Sequence, residues 1–199
     1  FAYTLDGGPW GEITYECFNG TDVYVTIKGT NIHPGLAKDK MKNSILIANE
    51  FLNMLPCAET PGNTQGYEGY YHAIEFHGLV ELTKLKFLLR DHNRELLKVR
   101  KNRIREISEF LNNVYGQGTV SYEINDVYNN MSEMILPEFE IVEAVQNAMR
   151  GLGTEPFSIP MRGGTDGAEL SYMGIPCPNI CTGGHNFHSR YEYVSVQSM

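Results

Sequence analysis

Three short stretches of this 199-residue chain put ionisable side chains on glycine-rich loops directly after a few apolar residues. Residues 1–5 lead into Asp6-Gly7-Gly8, and residues 157–160 lead into Arg162-Gly-Gly-Thr-Asp166-Gly167. Residues 178–181 lead into Gly183-Gly184-His185-Asn186-Phe187-His188. Each reads as a strand followed by a loop, and in open α/β sheets ligands bind where the carboxyl ends of strands present such loops. Glycine lets the backbone turn, or approach a ligand, where other residues cannot. A carboxylate and an imidazole gathered in this way suit a borderline ion such as Zn²⁺. Taken singly, each loop is an ordinary turn, and Asp166 reads as a helix N-cap ahead of Gly167-Ala168-Glu169-Leu170. The Arg162 loop lacks the Lys-Ser/Thr ending of a phosphate-binding P-loop, which argues against a phosphate-binding protein.

The elements that must position these loops fall into two textures. Residues 12–135 read as one α+β module. Val23, Val25 and Ile27 alternate with Tyr24, Thr26 and Lys28, the period of a half-buried strand. The loop Gly29-Thr-Asn-Ile-His33-Pro-Gly35 leads into a helix whose apolar stripe is Ala37, Met41, Ile45, Ala48, Leu52 and Leu55, stopped by Pro56. Strands over 70–77 and 82–90 form a hairpin around Gly78, with Thr83, Leu85, Phe87 and Leu89 on one face. A long helix over 93–115 carries Leu97, Ile104, Ile107, Leu111 and Val114, and Gly116 and Gly118 end it. A strand over 119–127 completes the order β-α-β-β-α-β, the ferredoxin-like split pattern. This predicts a four-stranded antiparallel sheet with both helices on one face. From Pro137 a helix marked by Phe139, Val142, Val145, Ala148 and Met149 precedes short apolar strands and Gly-rich turns, as in an α/β sheet.

Composition narrows the function. The net charge of −8 argues against a nucleic-acid partner, whose phosphates must be neutralised. Most of the 16 Lys and Arg residues lie within 84–105, which reads as a solvated helix face and a strand edge. Cys17, Cys57, Cys177 and Cys181 form no C-x-x-C pair and read as buried, reduced thiols. No signal peptide and no apolar run near the ~20 residues of a membrane span is present, so a cytoplasmic protein is expected, with no membrane partner. The chain starts on Phe1-Ala-Tyr-Thr-Leu without a Met and reads as a buried strand already under way, the mark of a piece of something longer.

Several strings then resemble a known family in its order. They are Tyr3-Thr-Leu-Asp6-Gly-Gly-Pro-Trp-Gly-Glu12, Ile32-His33-Pro34-Gly35-x-Ala37-Lys38 and Tyr67-Glu-Gly-Tyr-Tyr71. Leu89-Arg90-Asp91, Met161-Arg-Gly-Gly-Thr-Asp-Gly167 and Gly183-Gly-His-Asn-Phe-His188 continue the series. Together they resemble peptidase T, the tripeptide aminopeptidases among the M20-type co-catalytic zinc peptidases, over the second half of a family member. The resemblance implies a zinc-binding α/β domain interrupted by a ferredoxin-like lid that mediates homodimerisation. On this basis residues 1–17 and 136–199 are catalytic-domain segments and 18–135 is the lid.

The resemblance also implies roles. Asp6 corresponds to the carboxylate ligand of one zinc and His188 to the imidazole ligand of the other. His33 corresponds to the histidine that steadies the developing oxyanion. Arg90 and Arg162 correspond to arginines that receive the C-terminal carboxylate of a tripeptide, a task suited to a planar fork of donors. His185 reads as a spectator, and Ser189 stands where a glycine is expected. The family's other metal ligands and its general-base glutamate lie upstream of Phe1. The expectation is therefore a zinc aminopeptidase as the parent protein, and a chain that alone is inactive and holds no tight zinc. The rivals are an M20-type deacylase or carboxypeptidase on the same scaffold, or a dimerisation module only.

Overall fold

The computed structural model describes residues 1–198, so Met199 at the end of the expected 136–199 segment lies outside the described residues. In chain order the elements begin with β1 (Thr4–Gly7), β2 (Ile13–Thr14), β3 (Asn19–Lys28), α1 (Ser44–Asn53) and β4 (Tyr70–Gly78). They continue with β5 (Leu82–Asp91), α2 (Arg94–Tyr115), β6 (Val120–Tyr128), α3 (Ser132–Ile135) and α4 (Glu140–Gly151). Last come α5 (Asp166–Tyr172), β7 (Asn179–Cys181), β8 (Gly184–His185) and β9 (Tyr193–Val194). Two compact units result: Gly20–Val127, and Phe1–Asn19 together with the chain from Tyr128 onward. Residues 18–19 and 128–135, expected in the lid, cluster with the second of these.

In Gly20–Val127 the sheet order is β4-β5-β3-β6, the ferredoxin-like arrangement for this sequence of strands and helices. Its core joins Val23, Val25 and Ile27 of β3 to Leu85, Phe87 and Leu89 of β5. Ile47, Ala48 and Phe51 of α1 and Leu97, Ile104, Ile107 and Leu111 of α2 belong to the same cluster, so both helices cover one face. The alternate residues Tyr24 and Lys84 are exposed on the other face, as a period of two requires. Asn93 caps α2 by accepting from the N–H groups of Glu95 and Leu96, and Gly116 ends it at φ 100°, a conformation L side chains rarely adopt. Val114, expected in the buried stripe, is exposed.

The first helix departs further from the expected stripe. It starts only at Ser44, because Asn43 caps it and because Thr30 and Lys42 exchange backbone hydrogen bonds that hold residues 31–41 out as a loop. Ala37 and Met41 therefore lie before the helix, and the face that packs is Ile47, Ala48 and Phe51.

In the other unit β7 runs parallel to β1 and antiparallel to β2. Phe1 and Leu5 are largely exposed, against the expectation of a buried strand. Ile13, Cys17, Met131, Ile135, Ile141 and Val142 form the core beneath the sheet. Residues 157–160, expected as a strand, form no ladder among the described residues: Phe157 makes an isolated parallel bridge to Glu12, and Met161, just beyond, makes another to Cys17. Pro156 and Pro160 lack the N–H groups a continuous ladder needs. The four cysteines are free, and Cys57 is exposed rather than buried. No described helix is long and apolar enough to cross a membrane.

Candidate functional site

Because β1 and β7 are parallel, their carboxyl ends emerge on the same side, and the loops after them are stitched together. The Gly183 N–H donates to Gly8 O at 3.1 Å, and the Thr182 hydroxyl donates to Gly7 O at 2.9 Å. Gly7 is required by this close approach: a Cβ there would sit 2.7 Å from the Ile180 carbonyl oxygen. The Asp6-Gly7-Gly8 turn and the segment leading to His188 thus form one backbone-bonded edge.

Asp6 is exposed at the end of β1, and its single side-chain hydrogen bond among the described residues comes from the Thr165 hydroxyl, 3.0 Å from Oδ2. Thr165, not Asp166, caps α5. Its backbone is extended (φ −152°, ψ 154°), its hydroxyl accepts from the Gly167 N–H, and Asp166 is the first helical residue with its side chain exposed. The cap position belongs to the residue whose backbone is still outside the helix, and here that is one residue earlier than expected.

His188 is exposed and sits at φ 61°, with Asn186 at φ 56°. Two left-handed non-glycine residues in three positions mark a backbone held in place by its surroundings. The loop is closed by His188 N–H to Glu192 Oε2 (2.9 Å), Asn186 Nδ2 to Tyr191 O (3.2 Å) and Ser189 N–H to Asn186 O (3.1 Å). Ser189, found where glycine was expected, accepts the Tyr191 N–H on its hydroxyl at 3.0 Å. The His188 imidazole makes no hydrogen bond among the described residues, while His185 stacks on Tyr193 at 5.0 Å between ring centroids.

Beneath this edge lies Glu12, buried in the β1–β2 connection and not singled out by sequence reasoning. Its Oε1 accepts from the Gly8 N–H (3.3 Å) and the Thr14 hydroxyl (3.0 Å), while Oε2 has no hydrogen-bond partner among the described residues. Arg162 is half-buried, with its guanidinium carbon 5.0 Å from the centre of the Phe18 ring.

His33 and Arg90 belong to the Gly20–Val127 unit. His33 stands exposed on the 31–41 loop, where its Nδ1 accepts the Gly35 N–H at 3.1 Å. A neutral imidazole with Nδ1 committed as acceptor carries its proton on Nε2, which is then a donor. Arg90 is buried, and its guanidinium donates to the carbonyls of Thr21 (3.0 Å) and Leu89 (2.9 Å) and pairs with Asp22 at 3.5 Å.

A carboxylate and an imidazole are fitting zinc donors, and Asp6 keeps one oxygen uncommitted. Among the described residues no group of three or more His, Cys, Asp or Glu side chains is placed to hold a metal ion. By donor chemistry Asp6 and His188 each suit a metal ion as a single ligand.

The family profile described as "Peptidase dimerisation domain" matches residues 15–119. A protein named Peptidase T from Clostridium perfringens is 55% identical over all 199 residues, which span 49% of its length. The crystal structure of an aminopeptidase PepT from Bacillus cereus superimposes with a TM-score of 0.84 at 22% identity, over the whole chain and 53% of that structure. A Bacillus subtilis protein described as a dinuclear metal binding peptidase gives a TM-score of 0.65 at 15% identity, over 98% of the chain and 51% of that structure. The chain thus spans about half the length of the curated relative it matches.

Proposed function

This chain belongs to the M20-type peptidase family that carries the dimerisation domain, and on that premise we propose that it is the C-terminal half of a cytosolic zinc aminopeptidase that releases the N-terminal residue of tripeptides. The observation that carries this reading is the exposed, hydrogen-bonded Asp6 carboxylate on a loop edge shared with the segment bearing His188. Asp6 supplies one ligand to one zinc ion and His188 one ligand to a second. The zinc centre supplies a water of lowered pKa and hence a nucleophile near neutral pH.

The remaining roles belong to this chain's own side chains. His33 donates its Nε2–H to the oxygen that becomes negative as the peptide carbon turns tetrahedral. Arg162 receives the substrate carboxylate with its planar fork of donors. Arg90 is the second arginine proposed for the substrate carboxylate, and here its guanidinium is engaged by the carbonyls of Thr21 and Leu89 and by Asp22. The 199-residue chain offers one ligand to each ion, short of the three protein ligands a catalytic zinc has, and alone is inactive.

Homodimerisation through the lid is part of the same proposal, supported by the description of the matched family profile and by the exposed edge strands β4 and β6. Sedimentation that reports a monomer at micromolar concentration would remove it. Activity is tested by giving a protein of the relatives' full length tripeptides and N-acyl amino acids, with and without a chelator. Chelator-sensitive release of the first residue of tripeptides supports the reading. Preference for N-acyl amino acids points instead to a deacylase on this scaffold.

A further inference from the structure

The geometry points to Thr165 as the residue that positions the Asp6 carboxylate for metal binding, an inference that rests on the reading of Asp6 as a ligand. A threonine hydroxyl has one proton to give and two lone pairs to accept with. Around Thr165 Oγ1 three groups compete. The Gly167 N–H, at 3.3 Å, can only donate, and Asn179 Nδ2, at 3.0 Å, can only donate. Asn179 Oδ1, 3.2 Å away, is the rival acceptor; it is neutral and shared with the Thr4 hydroxyl. With both lone pairs taken, the Thr165 proton goes to the closer and charged acceptor, Asp6 Oδ2 at 3.0 Å, in preference to the amide oxygen.

The direction of this chain of bonds is fixed from its buried end. Asn179 is fully buried in β7, and Gly167 has no side chain to displace it: a Cβ there would lie 2.6 Å from Asn179 Oδ1. The order Asn179 to Thr165 to Asp6 therefore runs from the rigid strand outward to an exposed carboxylate. It pins one carboxylate oxygen and leaves the other for a cation. Partners of this kind set ligand orientation in metal sites, and their loss weakens metal binding by about 10–100-fold.

Helix capping alone is the competing account, because the same hydroxyl caps α5. Capping acts on stability; positioning acts on the affinity of the folded protein. The test uses a protein of the relatives' full length, loaded with zinc and titrated with a competing chelator, while thermal unfolding is followed on the metal-free form. Thr165→Val is expected to weaken zinc binding at one site by about tenfold. Thr165→Ser, which keeps the proton and both lone pairs, is expected to retain the parent affinity. Thr165→Gly leaves a tolerated cap without the donor and should lose zinc as Val does, which keeps the test usable if Val does not fold. If Val and Gly bind zinc as the parent does while Asp6→Ala does not, Thr165 is only a cap. If Asp6→Ala itself keeps the parent's zinc, the ligand reading fails and the inference fails with it.

Discussion

Arg100 Nε lies 3.0 Å from Asp91 Oδ2, and the same guanidinium reaches Glu59 while stacking 5.1 Å above the Tyr71 ring. Burial works against the guanidinium charge, but the bonds to Glu59 and Asp91 outweigh it and hold its pKa above the ordinary value. Asp91 is almost wholly buried, so removing its partner strands a charge. Arg100→Leu is expected to cost about 3–5 kcal/mol in urea unfolding. Arg100→Leu with Asp91→Leu should recover most of it, because no unpaired ion then remains. A single-variant loss near zero would mean that the cluster is surface decoration.

The lid should fold by itself. Residues 20–127 contain one core in which Phe51 and Phe87, both fully buried, lie 5.9 Å apart between the helix layer and the sheet. The isolated segment is expected to unfold in a single cooperative thermal transition. Phe87→Ala should lower its stability by about 3–5 kcal/mol. A broad, non-cooperative melt of the segment would contradict this.

Two cysteines should differ sharply in chemistry. Burial, partly offset by the Met131 N–H bond to the sulfur, raises the Cys17 thiol from its usual 9.0 to about 11, whereas Cys57 is exposed. The thiolate is the reactive form, so iodoacetamide at pH 8 is expected to modify Cys57 and spare Cys17. The raised value also has a sign in stability: the contribution of Cys17 is intact below pH 9 and is lost as pH rises through about 11. Cys17→Ala should flatten the fall in melting temperature between these values. Equal labelling of both thiols in the folded protein would refute the burial argument.

In a full-length enzyme His33 and Arg162 should separate kinetically. The His33 bond forms mainly in the transition state, so His33→Ala is expected to lower kcat at a cost of about 2.7–4 kcal/mol. Arg162→Ala should act chiefly on KM, since it holds a carboxylate that stays charged throughout. An unchanged kcat in His33→Ala would leave that histidine as a loop residue.

The lid was readable because its periodicities are forced by one wet and one dry face. Val23, Val25 and Ile27 sit on every second residue, and α2 buries one stripe of a 22-residue helix. The start of α1 was not readable, since Ala37 and Met41 keep helical spacing while the Thr30–Lys42 pairing holds them in a loop. Asp6 and His188 were reached through motif order, and their loops do share an edge through Gly7, Gly8, Thr182 and Gly183. Thr165 and Glu12 were passed over. Thr165 stands beside Asp166, an equally good cap in sequence, and its bond to Asp6 joins positions 159 residues apart. Glu12 ends the string that carries Asp6 and has no spacing of its own to mark it, and only the fold buries its carboxylate against the Gly8 N–H.

In the proposed enzyme Asp6 and His188 each serve a different zinc ion, which metal stoichiometry can decide. A full-length protein, its Asp6→Ala and His188→Ala variants and the 199-residue chain would each be titrated with zinc under chelator competition. The expected result is two tight zinc ions in the parent protein, one weakened site in each variant, and no tight zinc in the 199-residue chain, because tight binding needs several ligands held together. Two sub-micromolar sites in the 199-residue chain, or two undiminished sites in both variants, would contradict the account.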